Sequence, residues 1–199
     1  MKIFNLKPKT HKLKPSLGFT LVELLVTLSL FVILTAIVLF NSSKFNGSIL
    51  LTNLAYDVAI TIRQAQTFGV NVREASDSSF QHAYGVHFDM NKNTEFILFA
   101  DRLNDNRQYD GDSTCASSPE CVDKYGIKRG NKISGLCVVS SSSCANVSTL
   151  DIAFIRPNPD AIINNDPNAT EARITISSAD GASSRKVVVN STGQISIER

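Results

Sequence analysis

The chain has 199 residues, of which 43% are hydrophobic and 19% are charged, and its formal net charge is +2. This composition excludes a wholly disordered chain, because it provides enough apolar surface to offset the entropy of ordering. Only the block from Phe19 to Phe40 is long and apolar enough to cross a membrane, which argues against both a polytopic membrane protein and a simple cytosolic globular protein.

The charge is unevenly distributed along the chain. Residues 1–18 contain five lysines and no acidic residue, so the rest of the chain is net negative. A net-negative body argues against a broad phosphate-binding surface but is compatible with a local basic patch. Lysines in front of an apolar block predict that residues 1–18 stay cytoplasmic and that the C-terminal body is exported.

The apolar block is long enough, as a helix, to span the roughly 30 Å hydrocarbon core of a bilayer. A secretory signal peptide is one alternative, but its cleavage site requires small residues after the apolar region. The residues found there, Ala36, Asn41, Ser42 and Ser43, form a poor site of that kind. A plain N-terminal anchor is the other alternative, and it explains the length of the block but not the acidic residue inside it.

That acidic residue is Glu23, which lies near the start of the apolar block. A carboxylate in lipid is costly, so an ionisable residue within a membrane span indicates a function. We expect its partner to be a cation supplied by another chain, such as a free α-amino group.

A second helical pattern follows the apolar block. The sequence loosens over 41–48, which contains Asn, Ser and Gly, and this predicts a kink or a loosened turn. Apolar residues then recur every three to five positions, which predicts that the helix continues to about Phe68 and stops at Gly69. The stripe of apolar residues consists of Phe45, Ile49, Leu54, Val58, Ile62 and Ala65.

After residue 80 the hydrophobic period changes to two, which predicts strands. The last two strands enclose Ser191-Thr192-Gly193 and are predicted to form a terminal hairpin. The predicted loops, 101–131 and 140–148, contain Cys115, Cys121 and Cys144. The predicted strands are Ala83–Phe88, Glu95–Ala100, Lys132–Val139, Thr149–Ile155, Glu171–Ser177, Lys186–Asn190 and Gln194–Glu198.

The four cysteines are Cys115, Cys121, Cys137 and Cys144. An even number in an exported body predicts two disulfides. Their spacing is wider than the two-to-four-residue gaps that structural zinc prefers. Of the three possible pairings, we favour the local one, Cys115–Cys121 with Cys137–Cys144. It closes short loops and therefore pins those loops rather than holding the fold together.

One loop is crowded with oxygen-bearing side chains, which are the ligands that Ca²⁺ prefers. The spacing does not match the EF-hand pattern. The alternative interpretation is a solvated turn, which Asp and Asn favour in any case. The candidate calcium ligands are Asp101, Asn104, Asn106, Asp110 and Asp112.

The sequence contains little that indicates catalysis, and we do not expect an enzyme or a cofactor. His82 and His87 lie near or in a predicted strand without an evident nucleophile, and no Gly-rich phosphate loop precedes a helix.

The segment from Lys14 to Leu24, with Gly18, Phe19 and Glu23 in register, resembles the class III signal of type IV prepilins and secretion pseudopilins. The resemblance implies cleavage between Gly18 and Phe19 by a prepilin peptidase, and N-methylation of the new Phe19 amine. It also implies that the Glu23 carboxylate pairs with the Phe19 amine of a neighbouring subunit during assembly.

The body resembles FimT/GspH-type minor pilins over three less specific stretches, 54–66, 96–101 and 187–193. Some pilin-like proteins hold Ca²⁺ in a carboxylate-rich loop. Some FimT-like pilins bind DNA through a C-terminal Gly-Arg-x-Arg pattern, but the matching stretch here is 193–196, which contains no arginine. The basic residues that remain near this end are Arg185, Lys186 and Arg199, and DNA is not an expected partner.

Together these observations predict an α+β, pilin-like fold, in which a long N-terminal helix packs on an antiparallel β-rich domain. The predicted divisions are a cleaved leader (1–18), a transmembrane and assembly helix (19–40), its amphipathic continuation (41–70) and the β-rich domain (71–199). The predicted function is a minor structural subunit of a type IV pilus or a type II secretion-like pseudopilus, processed by the prepilin peptidase and polymerised through its N-terminal helix.

The partners implied by that function are other pilin or pseudopilin subunits, the prepilin peptidase, an inner-membrane assembly platform and the membrane itself. The chain is expected to cross the cytoplasmic membrane once before assembly and then to enter an extracytoplasmic or cell-surface filament. Two alternatives remain open: a DNA-binding minor pilin for DNA uptake, and a membrane-anchored domain that never polymerises.

Overall fold

A computed structural model of the chain describes residues 18–71, 82–112, 115 and 118–198, without the side chains of 40–46. The chain divides into two units, Met1–Ser43 and Lys44–Arg199. The N-terminal apolar helix and the β-rich domain with two antiparallel sheets confirm the predicted α+β fold class.

Helix α1 comprises Leu21–Val70 and contributes to both units. Its start lies two residues after the predicted one, because Thr20 caps it. The backbone over 41–48 is helical, and the kink predicted there stays a prediction. No proline occurs in that stretch to remove a backbone N–H. The low helix propensity of Asn, Ser and Gly, at most about 1 kcal/mol per residue, does not end the helix.

The part of α1 in the second unit is amphipathic. Its apolar stripe is fully buried at Leu51, Val58, Ile62 and Ala65. Ile49, which the periodicity also assigns to this stripe, is 43% exposed. The side chain of Phe45, the first residue of the predicted stripe, lies outside the described residues. The buried face that is described begins at Leu51.

Ten strands follow, and they form two five-stranded antiparallel sheets. Sheet A has the order β3-β2-β1-β6-β7, and sheet B has the order β10-β9-β8-β4-β5. The strands are β1 (Tyr84–Asp89), β2 (Glu95–Ala100), β3 (Cys121–Gly126), β4 (Lys132–Ser140), β5 (Ser143–Asn146), β6 (Thr149–Phe154), β7 (Ala161–Ile163), β8 (Ala169–Ser177), β9 (Ser184–Asn190) and β10 (Ile195–Glu198).

One hydrophobic core joins the two sheets and the helix. The strands that contribute to it point alternate residues inward, as the period of two requires. The core is built from Leu51, Val58 and Ile62 of α1, Val86, Phe88, Leu98, Ile152 and Phe154 of sheet A, and Ile133, Leu136, Ile174 and Val187 of sheet B.

The opposite face of sheet A is also covered. The segment 101–120, which connects β2 to β3, places Tyr109 against Ile97, Phe99 and Ala153 in a second, smaller hydrophobic cluster. We call this segment the strap. The strap is part of the folded domain, although it is long and polar, because it covers a face of sheet A that solvent would otherwise reach.

Three strands lie in stretches that were predicted to be loops or were not predicted. β3 contains charged residues, but it pairs with β2 and stacks Tyr125 on Phe96 with ring centroids 5.2 Å apart. β5 is exposed at every position and pairs only with β4. β7 has three residues. Each of these strands is stabilised by pairing with a neighbouring strand, and hydrophobic periodicity along the chain does not indicate such pairing.

Candidate functional site

The amino end of α1 is the candidate functional site. Gly18 and Phe19 lie in front of the helix in non-helical conformation, and both are exposed. Thr20 is the N-cap: its Oγ1 accepts a hydrogen bond from the Glu23 N–H at 3.2 Å, and its carbonyl accepts one from the Leu24 N–H at 3.1 Å. This cap starts the helix at Leu21 and places Glu23 in its first turn.

The surroundings of Glu23 are apolar and uncovered. Leu21 is 74% exposed and Leu24 is 51% exposed, and the other apolar side chains of this turn are also exposed. No residue of the candidate membrane span, Leu21–Leu39, is buried. A helix that is hydrophobic all round must be covered by lipid or by other protein. The carboxylate of Glu23 is therefore surrounded by the lipid or protein that covers this helix.

The polar side chains of the span do not change that conclusion. Thr27, Ser29 and Thr35 each donate a hydrogen bond from the hydroxyl to a backbone carbonyl three or four residues earlier. Their donors are satisfied within the helix, so these residues are compatible with lipid. No acidic residue other than Glu23 lies in the described part of the span.

The cap supports a first prediction. Replacing Thr20 by valine removes the hydroxyl at nearly constant volume and should cost about 1 kcal/mol at the first turn. Amide hydrogen exchange of residues 21–24 in detergent micelles should then be roughly five-fold faster. Thr27→Val is the matched control, because it removes a hydroxyl that caps nothing. Equal exchange in the Thr20 variant and the wild type would contradict the capping role.

The cysteines form two disulfides, Cys115–Cys121 and Cys137–Cys144, with Cα–Cα distances of 5.3 and 5.7 Å. These are the two local pairs favoured above. The first links the strap to the start of β3, and the second links β4 to the edge strand β5. Both therefore hold connections and edges in place.

The Asp/Asn loop lies within the strap, and its oxygens mostly accept hydrogen bonds from the loop itself. The buried carboxylate of Asp101 accepts the N–H groups of Asp105 and Arg107. One oxygen of Asp110 accepts the side-chain amides of Asn104 and Asn106, each at 2.8 Å.

The geometry of this loop is that of a self-bonded polar turn. The carboxylate oxygens of Asp101 and one of Asp110 are already used, and the described residues contain no group of three or more His, Cys, Asp or Glu side chains arranged to hold a metal ion. The five candidate ligands thus fit a self-bonded polar loop better than they fit Ca²⁺. Calcium binding by this loop stays an untested prediction.

A residue that the sequence did not single out, Glu120, organises the strap. It is fully buried, and its carboxylate accepts N–H groups from Arg102, Leu103 and Asp110, the last at 2.8 Å. Burial raises the pKa of Glu120 above its usual 4.5, and the neighbouring Asp101 adds to the rise. Hydrogen bonds from backbone N–H groups oppose the rise without cancelling it.

A pH dependence follows from Glu120. A raised pKa in the folded state means that the folded protein binds this proton more tightly than the unfolded chain does. The resulting stabilisation is complete below pH 4.5 and is lost as the pH rises through the folded-state pKa. The free energy of unfolding of the wild type minus that of Glu120→Gln should therefore fall with rising pH in this window. A flat or rising difference in urea titrations would refute this.

The predicted basic cluster does not form a common patch. Arg185 and Lys186 are consecutive residues of β9, so their side chains point to opposite faces of sheet B. Arg185 is half-buried and donates to the Ser184 carbonyl at 3.0 Å, whereas Lys186 is exposed. Arg199 lies outside the described residues. DNA binding at this end stays an untested alternative that the described geometry does not favour.

A buried histidine–aspartate pair also went unnoticed in the sequence. His87 on β1 and Asp151 on β6 are directly opposite in register, and His87 Nδ1 lies 2.8 Å from Asp151 Oδ1. Tyr109 of the strap covers the pair, with its ring centroid 5.1 Å from that of His87. Asp151 Oδ1 also accepts the Tyr109 N–H at 3.4 Å, so the pair anchors the strap to sheet A.

Comparison with known families gives one match. Residues 13–39 match the family described as the prokaryotic N-terminal methylation motif. The match includes Gly18, Phe19, Thr20 and Glu23, and it supports a type IV pilin-like protein that is a substrate of a prepilin peptidase. Proteins with this motif are structural rather than enzymatic. No curated protein and no solved structure matches the chain.

Proposed function

We propose that this chain is a minor structural subunit of a type IV pilus or a type II secretion-like pseudopilus. The observation that carries the proposal is the amino end of α1: an uncovered, wholly apolar helix that begins at a capped Thr20 and has Glu23 in its first turn. The β-rich domain that follows is the outward-facing part. The minor role rests on the resemblance of the body to FimT/GspH-type minor pilins.

Processing is proposed to cut the bond between Gly18 and Phe19. Both residues are exposed and non-helical, so a peptidase can bind this bond in extended form without first unwinding the helix. Gly18 has no atom within 4 Å of where a Cβ would lie, so the fold itself does not require glycine here. The requirement for glycine is then imposed by the peptidase.

Assembly is proposed to move α1 from lipid into a bundle of like helices. The apolar side chains exchange lipid contacts for protein contacts, so hydrophobic burial changes little. The buried Glu23 carboxylate needs a cation, and the methylated Phe19 amine of a neighbouring subunit can supply it. The pair then sets the register between subunits more than it adds stability.

The experiment that tests this function is N-terminal and intact-mass analysis of the chain from sheared surface material and, separately, from membranes. A chain that starts at methylated Phe19 in the sheared fraction supports a surface filament. The same chain confined to membranes supports a pseudopilus or an initiating role. Residues 1–18 still attached in both fractions would overturn the proposal in favour of an anchored domain that never polymerises.

Variants at the cleavage site sharpen this experiment. Gly18→Val should leave residues 1–18 attached and should remove the chain from the sheared fraction. Gly47→Val is the matched control, because an added Cβ there also meets nothing within 4 Å. Normal processing of the Gly18 variant would place the cleavage elsewhere.

A further inference from the structure

The body is electrically polarised along its strands, which the net charge conceals. At one end lie the connections 90–94, 127–132 and 178–185, and we call this the basic end. These connections contain a single acidic residue, Asp180. Asp89 and Glu95 flank the first of them, and Asp57 lines a cavity with Lys128 and Arg129. The cations of the three connections are Lys92, Lys128, Arg129, Lys132 and Arg185.

Contacts show that the three connections are neighbours. The Ile127 N–H donates to the Thr94 carbonyl at 2.7 Å, and the Ile133 N–H donates to the Asn93 carbonyl at 2.8 Å. A Cβ added to Gly130 would lie 2.8 Å from the Cβ of Ala179. The cations of three separate connections therefore lie on one end of the domain.

The opposite end is acidic. It is formed by the strap, by the connection 155–160 and by the connection 164–168, which touch where Gln108 donates to the Asn164 carbonyl at 3.0 Å. These connections contain three arginines. Their acidic residues are Asp101, Asp105, Asp110, Asp112, Glu120, Asp160 and Asp166.

The basic end is also the end of the domain at which its own part of α1 begins. Leu50 and Asn53 line a cavity of about 300 Å³ together with Lys128 and Arg129. Leu50 follows Leu39, the last residue of the candidate span, by eleven residues. Eleven residues cover roughly 17 Å as helix and at most about 37 Å if extended.

As helix, this tether extends beyond the headgroup layer by little more than one screening length. The headgroup layer extends roughly 5–8 Å beyond the hydrocarbon on each side. Charges attract across about 8 Å at physiological salt. Lys128, Arg129 and Lys132 are all exposed, so they are held at high effective concentration near the phosphates of the surrounding lipids.

We propose that the basic end is a docking surface for anionic phospholipid headgroups, and that it holds the body of the unassembled subunit against the membrane. The proposal rests on the proposed function only in that α1 spans a bilayer. Its consequence is that extraction into a filament must break this contact, so anionic lipid opposes assembly. Lipid is favoured over the acidic end of a second copy because the tether brings lipid within reach of every chain.

The test uses the full chain, one copy per lipid nanodisc, in pure phosphatidylcholine and in the same lipid with about one-third phosphatidylglycerol. Hydrogen exchange of a peptide covering 127–132 should be roughly three-fold slower in the anionic disc. About 0.5 M salt, where screening acts within roughly 4 Å, should reverse the effect. Peptides from the acidic end should be unchanged.

Charge-reversal variants complete the test. Lys128→Glu with Lys132→Glu should abolish the lipid-dependent protection, while Lys128→Arg with Lys132→Arg, which keeps the charge, should retain it. Unchanged hydrogen exchange of a peptide from β6 shows that a variant is folded. If a variant does not fold, the loss of protection at high salt in the wild type tests the proposal instead. Equal exchange in both lipids overturns the proposal, as does protection that requires two copies per disc. Failure to enter the disc at all counts instead against the membrane span, and so against the proposed function.

Discussion

Replacing Glu23 by alanine is expected to leave membrane insertion and cleavage intact and to lower incorporation into filaments by at least about ten-fold. Glu23 lies in the first turn of a helix whose apolar side chains are uncovered. Alanine is compatible with lipid, so the unassembled state tolerates the change. The assembled state loses the partner of the Phe19 amine, which leaves a buried and unpaired cation.

The measurement compares the processed chain in sheared material with the processed chain in membranes, for the wild type and for Glu23→Ala. Ser29→Ala is the matched control, since Ser29 lies in the same span and its hydroxyl bonds only to the Val26 carbonyl. Glu23→Gln separates the charge from the hydrogen bond, and it should behave like alanine if the ion pair matters. If Glu23→Ala is incorporated into filaments as well as the wild type is, Glu23 has no role in assembly.

The second large effect is expected at Gly193, where alanine should destabilise the body by about 3–5 kcal/mol. Gly193 has φ of +79°, and a Cβ there would collide with the carbonyl oxygen of Pro159. It would also lie 2.5 Å from Nε2 of Gln66. That amide donates to the carbonyls of Pro159 and Gly193 at 2.8 and 3.0 Å, and so joins α1 to both sheets.

Urea unfolding of the full chain in detergent, followed by tyrosine fluorescence, measures this loss. Gly181→Ala is the control, because Gly181 also has positive φ, +69°, but has nothing within 4 Å of the added Cβ. It should cost only about 1–2 kcal/mol, the penalty of the left-handed backbone. Equal losses at the two glycines would show that the packing around Gln66 contributes nothing.

Gly193 also illustrates how the sequence can suggest one role and the fold another. In the sequence it marks the position where some FimT-like pilins carry their Gly-Arg-x-Arg pattern. In the structure it follows the end of β9 and allows the chain to pass over Gln66 of the helix. Close packing around residue 193 thus explains why glycine is required at that position, and the explanation involves no ligand.

The sequence by itself determined the features that depend on residues close together in the chain. The apolar span, Glu23 near its start and the Gly18–Phe19 junction are local patterns, and one continuous segment carries each of them. The long strands were predictable for the same reason, because half-buried strands alternate residue by residue. The local disulfide pairs also follow from short spacing.

Only the tertiary structure decided the features that combine distant segments. His87 and Asp151 meet because β1 and β6 pair in one register. Glu120 binds N–H groups up to 18 residues away in the strap. The basic end gathers cations from three connections, although the body as a whole is net negative. In each case the energy depends on distance in space, through burial, hydrogen bonding or Coulomb attraction, and no pattern along the chain records that distance.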